Sequence, residues 1–395
     1  MTINDTALRR VEALAGIGWR LARSAPSGRV LLAQLAIGID PALIPRPWGD
    51  DLASELDAAR QRALEPLSTR QVEQILRRAW GTRPRDELDD LDPDPAALTP
   101  TSQVHRGTLE GSPVAVKVLR PGVARSVGQD LSLLDSLLAP MSAAFPALDA
   151  RAVMGEVRER VLDELDLEQE GGTQRRFHRA LRGHPWLLAP APVMRLAHAD
   201  VLVSDWIDGV PLGDAPDRDQ AAARLVRFGL GAARTGVMHA DLKPDDVLVT
   251  PDGRLAVLDY GAWCEVDPVR LRRVIAAVEA FIGGDVDGFT RAVTELGWLP
   301  AERAPHAFDL LGHALDGLAG AGPVRLDAEA ILTAAGALRD HLDVLIGVLL
   351  TGSLPATDLW PARATAQLFG TIARVGATGD WTTLTRQALR DGWGD

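Results

Sequence analysis

The sequence predicts an α+β protein, and three observations carry that prediction. Apolar positions recur at helical spacing through residues 7–90, and the period changes to that of strands from Ala96. A short hairpin flanked by acid-bearing loops follows near residue 247, and beyond it the chain is helical again. At 395 residues with 46% hydrophobic content, the chain is long enough for two or three packed lobes.

The helical extension shows apolar spacing over residues 7–21, 30–39, 52–64 and 72–80. Ser68 with Gln71 makes a capping box that starts the fourth of these helices. Asp40-Pro41 and Ile44-Pro45-Arg46-Pro47 break the run between the second and third, and the next part of the chain is expected to start after the proline-rich Asp92-Pro93-Asp94-Pro95. The extension is therefore placed at 1–92. Strands are expected over 102–109 and 114–119, with Glu110-Gly111-Ser112-Pro113 as the turn. The second strand carries Lys117 among apolar neighbours, where a buried ammonium needs an acidic partner. A long acid-bearing helix over 153–182 offers Glu164, Asp166 and Glu170 for that purpose. Two more strands, 193–196 and 201–204, run into Asp205-Trp206-Ile207-Asp208-Gly209, with a helix expected over 220–234.

Composition excludes several function classes. A net charge of −12 argues against a nucleic-acid partner. The single cysteine, Cys264, rules out an internal disulfide and a cysteine metal cage. Arg9 and Arg10 are followed by only a brief apolar run before Arg20, unlike a signal peptide, and the apolar segment 344–354 is too short to span a bilayer. A cytoplasmic protein, attached to a membrane at most peripherally, is expected.

The chemistry concentrates in Gly236 to Glu265, GVMHADLKPDDVLVTPDGRLAVLDYGAWCE. Two apolar runs, 247–249 and 255–258, are joined by Pro251-Asp252-Gly253 and hold three acids in place: Asp241 and Asp246 before the hairpin, Asp259 just after it. Carboxylates converging without basic neighbours repel one another, so the arrangement asks for a cation, and Mg²⁺ suits it because that ion combines few protein carboxylates with water and phosphate oxygens. The order H-x-D-x-x-x-x-D, hairpin, D-x-G is that of a phosphoryl-transfer site in which Asp241 orients or deprotonates the acceptor while Asp246 and Asp259 hold metal. In the same scheme Lys117 meets the α/β-phosphates of ATP, and the exposed backbone at Asp205 and Ile207 hydrogen-bonds the adenine, as in the linker joining the two lobes of a kinase.

The segments VAVKVLRPGV (114–123), ELDLEQEGGTQRRF (164–177), VLVSDWIDGVPL (201–212) and 236–261 resemble the UbiB/AarF family of atypical protein-kinase-like proteins. The resemblance implies a bilobal protein-kinase-like fold: the extension at 1–92 folding over the cleft, an N-lobe at 93–211, and a C-lobe at 212–395 with a helical C-terminal region. It also implies Mg-ATP binding and, in many members, a role with isoprenoid quinones at membranes, hence a lipid-related ligand or a biosynthetic protein partner. The family's Lys-x-Gly-Gln signature aligns with Leu31-Leu32-Ala33-Gln34, so only Gln34 is kept, and Glu164 and Asp166, which would face that lysine, lack their expected partner. The alanine-rich nucleotide loop would fall at Ala96-Ala97-Leu98-Thr99-Pro100, giving Ala97 and Thr99 as backbone contacts to phosphate, with Pro100 removing one donor. Asp246 stands where kinase catalytic loops carry Asn, which keeps an oxygen ligand and adds charge; Lys243 offsets part of it.

These readings assign Asp241 as catalytic acid/base, Lys117 to the phosphates in a pair with Glu170, and Asp246 and Asp259 to metal. The activity expected is phosphoryl transfer or ATP hydrolysis coupled to a lipid or small molecule. The alternatives are a nucleotide-binding pseudokinase scaffold and a small-metabolite phosphotransferase on the same fold, the latter leaving the Glu-x-Asp segment unexplained.

Overall fold

The computed structural model describes residues 65–125, 127–128, 131, 149–320 and 322–394. The helices expected within 7–64, and Gln34 with them, lie outside the described residues. These residues fall into two compact units: one takes the described residues up to 131 with Met154–Arg179 and Pro190–Trp206, the other 149–153, Ala180–Ala189 and 207–394.

The first unit is an antiparallel sheet with a helix on it. Helix α1 (Thr69–Trp80) opens with the capping box, Gln71 Oε1 accepting from the Ser68 amide at 3.0 Å, and ends at Gly81, whose φ of 73° needs glycine. Its Val72, Ile75 and Leu76 are buried against Val114, Val116, Val118, Val201 and Val203. The sheet runs β1 (Asp90–Leu98), β2 (Ser102–Leu109), β3 (Ser112–Leu119), β5 (Val201–Asp205) in spatial order. The β2–β3 turn is tighter than the sequence suggests: Glu110 and Gly111, with φ of 51° and 75°, close a two-residue hairpin that takes Ser112 and Pro113 into β3.

Three expectations are corrected here. Asp92-Pro93-Asp94-Pro95 does not precede the strands but forms the body of β1, an edge strand with irregular register at Pro95, where prolines lacking an N–H are tolerated. Residues 194–196 form a single 3₁₀ turn instead of a strand. The long acidic helix is two, α2 (Ala150–Asp163) and α3 (Leu167–Ala180), because Asp166 caps the second: its Oδ1 accepts from the amides of Glu168 (3.0 Å) and Gln169 (3.3 Å).

The second unit is mainly helical, with three small sheets among its described residues, one of which holds the acid-bearing hairpin. One sheet has the order β4 (Leu187–Leu188), β9 (Leu255–Val257), β8 (Val247–Val249), β6 (Val210–Pro211), and another pairs β7 (Val237–His239) with β10 (Trp263–Glu265). Strands β8 and β9 form the expected hairpin, Val247 opposite Val257. Helix α4 (Arg218–Gly231), capped by Asp217, buries Leu225, Val226 and Phe228. At its end the backbones nearly touch, since a Cβ on Gly231 would lie 2.6 Å from the carbonyl of Gly392, and the Trp393 indole donates to the Phe228 carbonyl at 3.0 Å.

Helices α5 (Pro268–Ile282), α6 (Val286–Glu295) and α7 (Ala304–Ala314) pack through Phe281, Phe289 and Phe308. There follow β11 (Val324–Leu326), α8 (Ala328–Asp340), α9 (Leu342–Thr351), α10 (Ala356–Val375), β12 (Ala377–Gly379) and α11 (Trp381–Asp391). No helix among the described residues is long and apolar enough to cross a membrane.

Helix α10 is pinned near its start by Asp358, which is 6% exposed. The Arg270 guanidinium grips both its carboxylate oxygens, one through Nε at 2.8 Å, and the Trp298 indole donates to Oδ2 at 2.7 Å. Asp358→Ala should lower the unfolding free energy by about 3–5 kcal/mol, because it leaves Arg270 in a partly buried site without its counter-ion. Denaturant titration of the purified chain reads this, and a loss below about 1 kcal/mol would make the network a surface feature.

Candidate functional site

In the first unit, β3 presents Lys117 and α3 presents Glu170. The ammonium reaches both carboxylate oxygens at 2.8 Å, with the glutamate side chain only 1% exposed. Asp166, by contrast, serves its own helix end through the amides of Glu168 and Gln169. Glu170 reaches the lysine because α3 begins afresh after Asp166 and buries Leu167, Glu170, Gln174 and Phe177 on one face.

The expected alanine-rich loop is the end of β1 followed by a tight turn. Ala97 is exposed and paired with Val104, while the Thr99 amide donates to the Ser102 carbonyl at 2.9 Å and Thr99 Oγ1 accepts from the Ser102 amide. The Thr99 and Ser102 amides are thus engaged inside the turn, and Arg120 braces it through the Thr99 carbonyl at 2.9 Å. Asp205 closes β5, its amide donating to the Ala191 carbonyl at 3.0 Å and its carboxylate accepting from the Ala191 amide, and Ile207 lies just past it.

In the second unit, the loop after β7 carries Asp241, Lys243 and Asp246, and Asp259 follows β9. His239 ties the two loops together. The Asp241 amide donates to the imidazole Nδ1 at 3.3 Å, so Nε2 carries the hydrogen donated to the Asp259 carbonyl. Burial holds the imidazole below its ordinary pKa against the pull of Asp259 and Asp241, which keeps the ring neutral. Fully buried Tyr260 packs edge-on against it at 5.5 Å. Asp259 Oδ1 accepts from the Gly261 amide at 3.0 Å, and the Leu258 amide donates to the Asp246 carbonyl at 2.9 Å.

The acids do have basic neighbours: Lys243, which the sequence already offered as a partial offset, and Arg363, which it did not. The Lys243 ammonium bonds Asp241 Oδ2, and Arg363 of α10 donates to Asp241 Oδ1 at 3.0 Å. Burial would push Lys243 down, but the combined charges of Asp241, Asp246 and Asp259 raise it well above its ordinary value. Burial would likewise push the Asp241 carboxyl up, yet Lys243 and Arg363 together hold it below the ordinary 3.8. Nothing in the local sequence marks Arg363; only the fold brings it to the loop. Thr371, also on α10, donates its hydroxyl to the Leu242 carbonyl at 2.6 Å.

Among the described residues no three His, Cys, Asp or Glu side chains gather as a complete metal site. Asp246 and Asp259 offer hard carboxylate oxygens of the kind that Mg²⁺ takes, and their charges, with that of Asp241, act on the Lys243 ammonium.

Glu170→Gln should lower the unfolding free energy by about 3 kcal/mol, since it deprives a largely buried ammonium of its carboxylate. Urea denaturation checks this, and an unchanged midpoint would mean that the pair adds nothing to stability. A second expectation concerns acid. A carboxyl held below 3.8 in the folded chain brings stability that is fully present above that value and is lost as pH falls through the lower folded value. The unfolding free energy of the native chain should therefore drop more steeply below about pH 4 than that of Asp241→Asn, and parallel curves would remove the cation pairing of Asp241 as a stabilising interaction.

Comparison with known proteins gives the family and the fold. The family model of the ABC1 atypical kinase-like domain matches residues 59–293. A Probable protein kinase UbiB from Marinobacter nauticus is 26% identical over 276 residues, covering 66% of this chain and 50% of that protein. Protein ACTIVITY OF BC1 COMPLEX KINASE 3, chloroplastic, from Arabidopsis thaliana is 28% identical over 216 residues, 52% of this chain and 30% of that protein. The chain thus spans half or less of the length of these two relatives. Among solved structures, the complex of Rv3197 with erythromycin from Mycobacterium tuberculosis superposes with a TM-score of 0.63 at 22% identity, over 92% of this chain and 91% of that one, a likeness of fold. With the domain matched over more than half of its length, the chain belongs to the ABC1 atypical kinase-like family and has an α+β kinase-like fold.

Proposed function

We propose that the chain binds Mg-ATP and catalyses slow phosphoryl transfer or ATP hydrolysis linked to a lipid or small molecule. The observation that supports this reading is the Lys243 ammonium bonded to Asp241 in the second unit, with the charges of Asp246 and Asp259 acting on the same ammonium. The buried Lys117–Glu170 pair of the first unit supports it. In this reading Lys117 meets the α/β-phosphates, Asp246 and Asp259 hold the metal, and Asp205 and Ile207 offer backbone to the adenine. Magnesium, when bound, offsets charge on the transferred phosphoryl group. Asp241 orients the acceptor oxygen that attacks the γ-phosphorus as the bond to ADP breaks. With a cation on each carboxylate oxygen, it acts chiefly through orientation and charge, and the acceptor proton leaves with the phosphoryl product.

Ala97 and Thr99 remain proposed phosphate neighbours only through their side of the Thr99–Ser102 turn. Gln34, Glu164 and Asp166 are proposed as regulatory residues. The proposed acceptor class, an isoprenoid-quinone-related lipid, a small molecule or water, rests on the resemblance carried by residues 114–123 and 164–177. A cytoplasmic location with at most peripheral membrane contact accords with that class. The alternative, a nucleotide-binding scaffold that turns nothing over, is favoured by one observation: both oxygens of Asp241 are held by the chain's own cations.

Mg-ATP at a hundredfold excess over its dissociation constant should stabilise the chain by about 2.7 kcal/mol, read as a rise in Tm. No shift with ATP or ADP, with or without Mg²⁺, would end the kinase-like functional reading. A weak ATPase should disappear in Asp241→Asn and persist or rise in Asp246→Asn at high Mg²⁺. Equal background rates in the native chain and Asp241→Asn, with ATP still bound, would select the scaffold.

A further inference from the structure

Helix α10 lies outside the residues matched by the family model, 59–293, yet it reaches the catalytic loop at two points. Thr371 donates to the Leu242 carbonyl at 2.6 Å, and Arg363 donates to Asp241 Oδ1 at 3.0 Å. Neither contact belongs to a loosely held surface helix, since Asp358, near the start of α10, is gripped by Arg270 and Trp298. Arg363 itself lies over the Trp360 ring, 4.7 Å from its centroid, and Trp360 is 3% exposed. The guanidinium is therefore held from behind by an aromatic face and from in front by Asp241.

Charge supplies the reason for such a residue. The site holds the carboxylates Asp241, Asp246 and Asp259 against the cations Lys243 and Arg363, which leaves one net negative charge. A site with a neutral Asn at 246 and no arginine would set two carboxylates against one lysine and carry the same net charge. The extra carboxylate in the loop and the extra cation on α10 thus cancel. Like charges crowded into a partly buried site are costly unless such a balance is struck.

We infer that Arg363 is a charge-balancing and positioning residue: it offsets the carboxylate that Asp246 adds to the site and fixes Asp241 through Oδ1, making α10 a working part of the catalytic loop. Its functional meaning rests on the phosphoryl-transfer reading, whereas its physical content, an energetic coupling between positions 246 and 363, does not.

A double-mutant cycle on the purified full chain tests the coupling without nucleotide. Arg363→Gln, Asp246→Asn and the double variant are compared with the native chain by Tm in low-salt buffer with EDTA. Arg363→Gln should lose several degrees in the native background and clearly less in the Asp246→Asn background, and Arg363→Lys, which restores the charge, should recover part of the loss. The difference should shrink in about 1 M salt, where screening is strong. Equal losses from Arg363→Gln in both backgrounds, or no recovery with lysine, would overturn the inference. If Arg363→Gln alone does not fold, a folded double variant is the expected rescue, and its failure to fold counts against the proposal. Absence of ATP binding in every variant would end the phosphoryl-transfer reading, while a measured coupling between positions 246 and 363 would still stand.

Discussion

The ionic grip on Asp241 organises the second unit. One carboxylate oxygen faces Lys243 from its own loop and the other faces Arg363, which comes from a helix 122 residues further along the chain. Each of these contacts needs supports that are themselves fixed. His239 locks the loop to the backbone of Asp259, Thr371 holds Leu242, and Arg270 with Trp298 sets the start of α10. A short-range electrostatic contact thereby fixes the arrangement of elements that share no sequence neighbourhood. In a partly buried setting such a contact is worth more than its exposed equivalent, because solvent screens it less.

What could be read from the sequence was local or carried by a motif. The capping box at Ser68 and Gln71 and the 247–257 hairpin depend on residues close in sequence, and each has the expected shape. The Lys117–Glu170 pair was legible as a chemical demand, since an ammonium on an apolar strand needs a carboxylate, although the helix break at Asp166 was not. That break is a side-chain cap that competes with helix propensity and leaves the apolar spacing unchanged. The prolines at 93 and 95 misled for a related reason: they punctuate most elements but are tolerated on the outer edge of a sheet, and only the sheet order reveals which strand is the edge. Arg363 was invisible because an arginine on an amphipathic helix reads as solvated until the fold supplies its partner.

His239 shows how the same residues divide between chemistry and architecture. Its position two residues before Asp241 invites a role as a proton carrier. In the fold both ring nitrogens face backbone groups, the ring is buried and neutral, and Tyr260 closes one side. A ring engaged in this way keeps the spacing between the Asp241 loop and the Asp259 loop.

The near-contact of Gly231 and Gly392 has a consequence for how this chain can vary. Most packed pairs are negotiable, in that a larger side chain on one partner is absorbed by a smaller one opposite. Here the obstacle to a Cβ at 231 is the main chain of residue 392, which has no smaller version. A methyl group at 231 therefore cannot be matched by any exchange across the contact, and the end of α4 and the last turn of the chain can drift in sequence only around a fixed glycine.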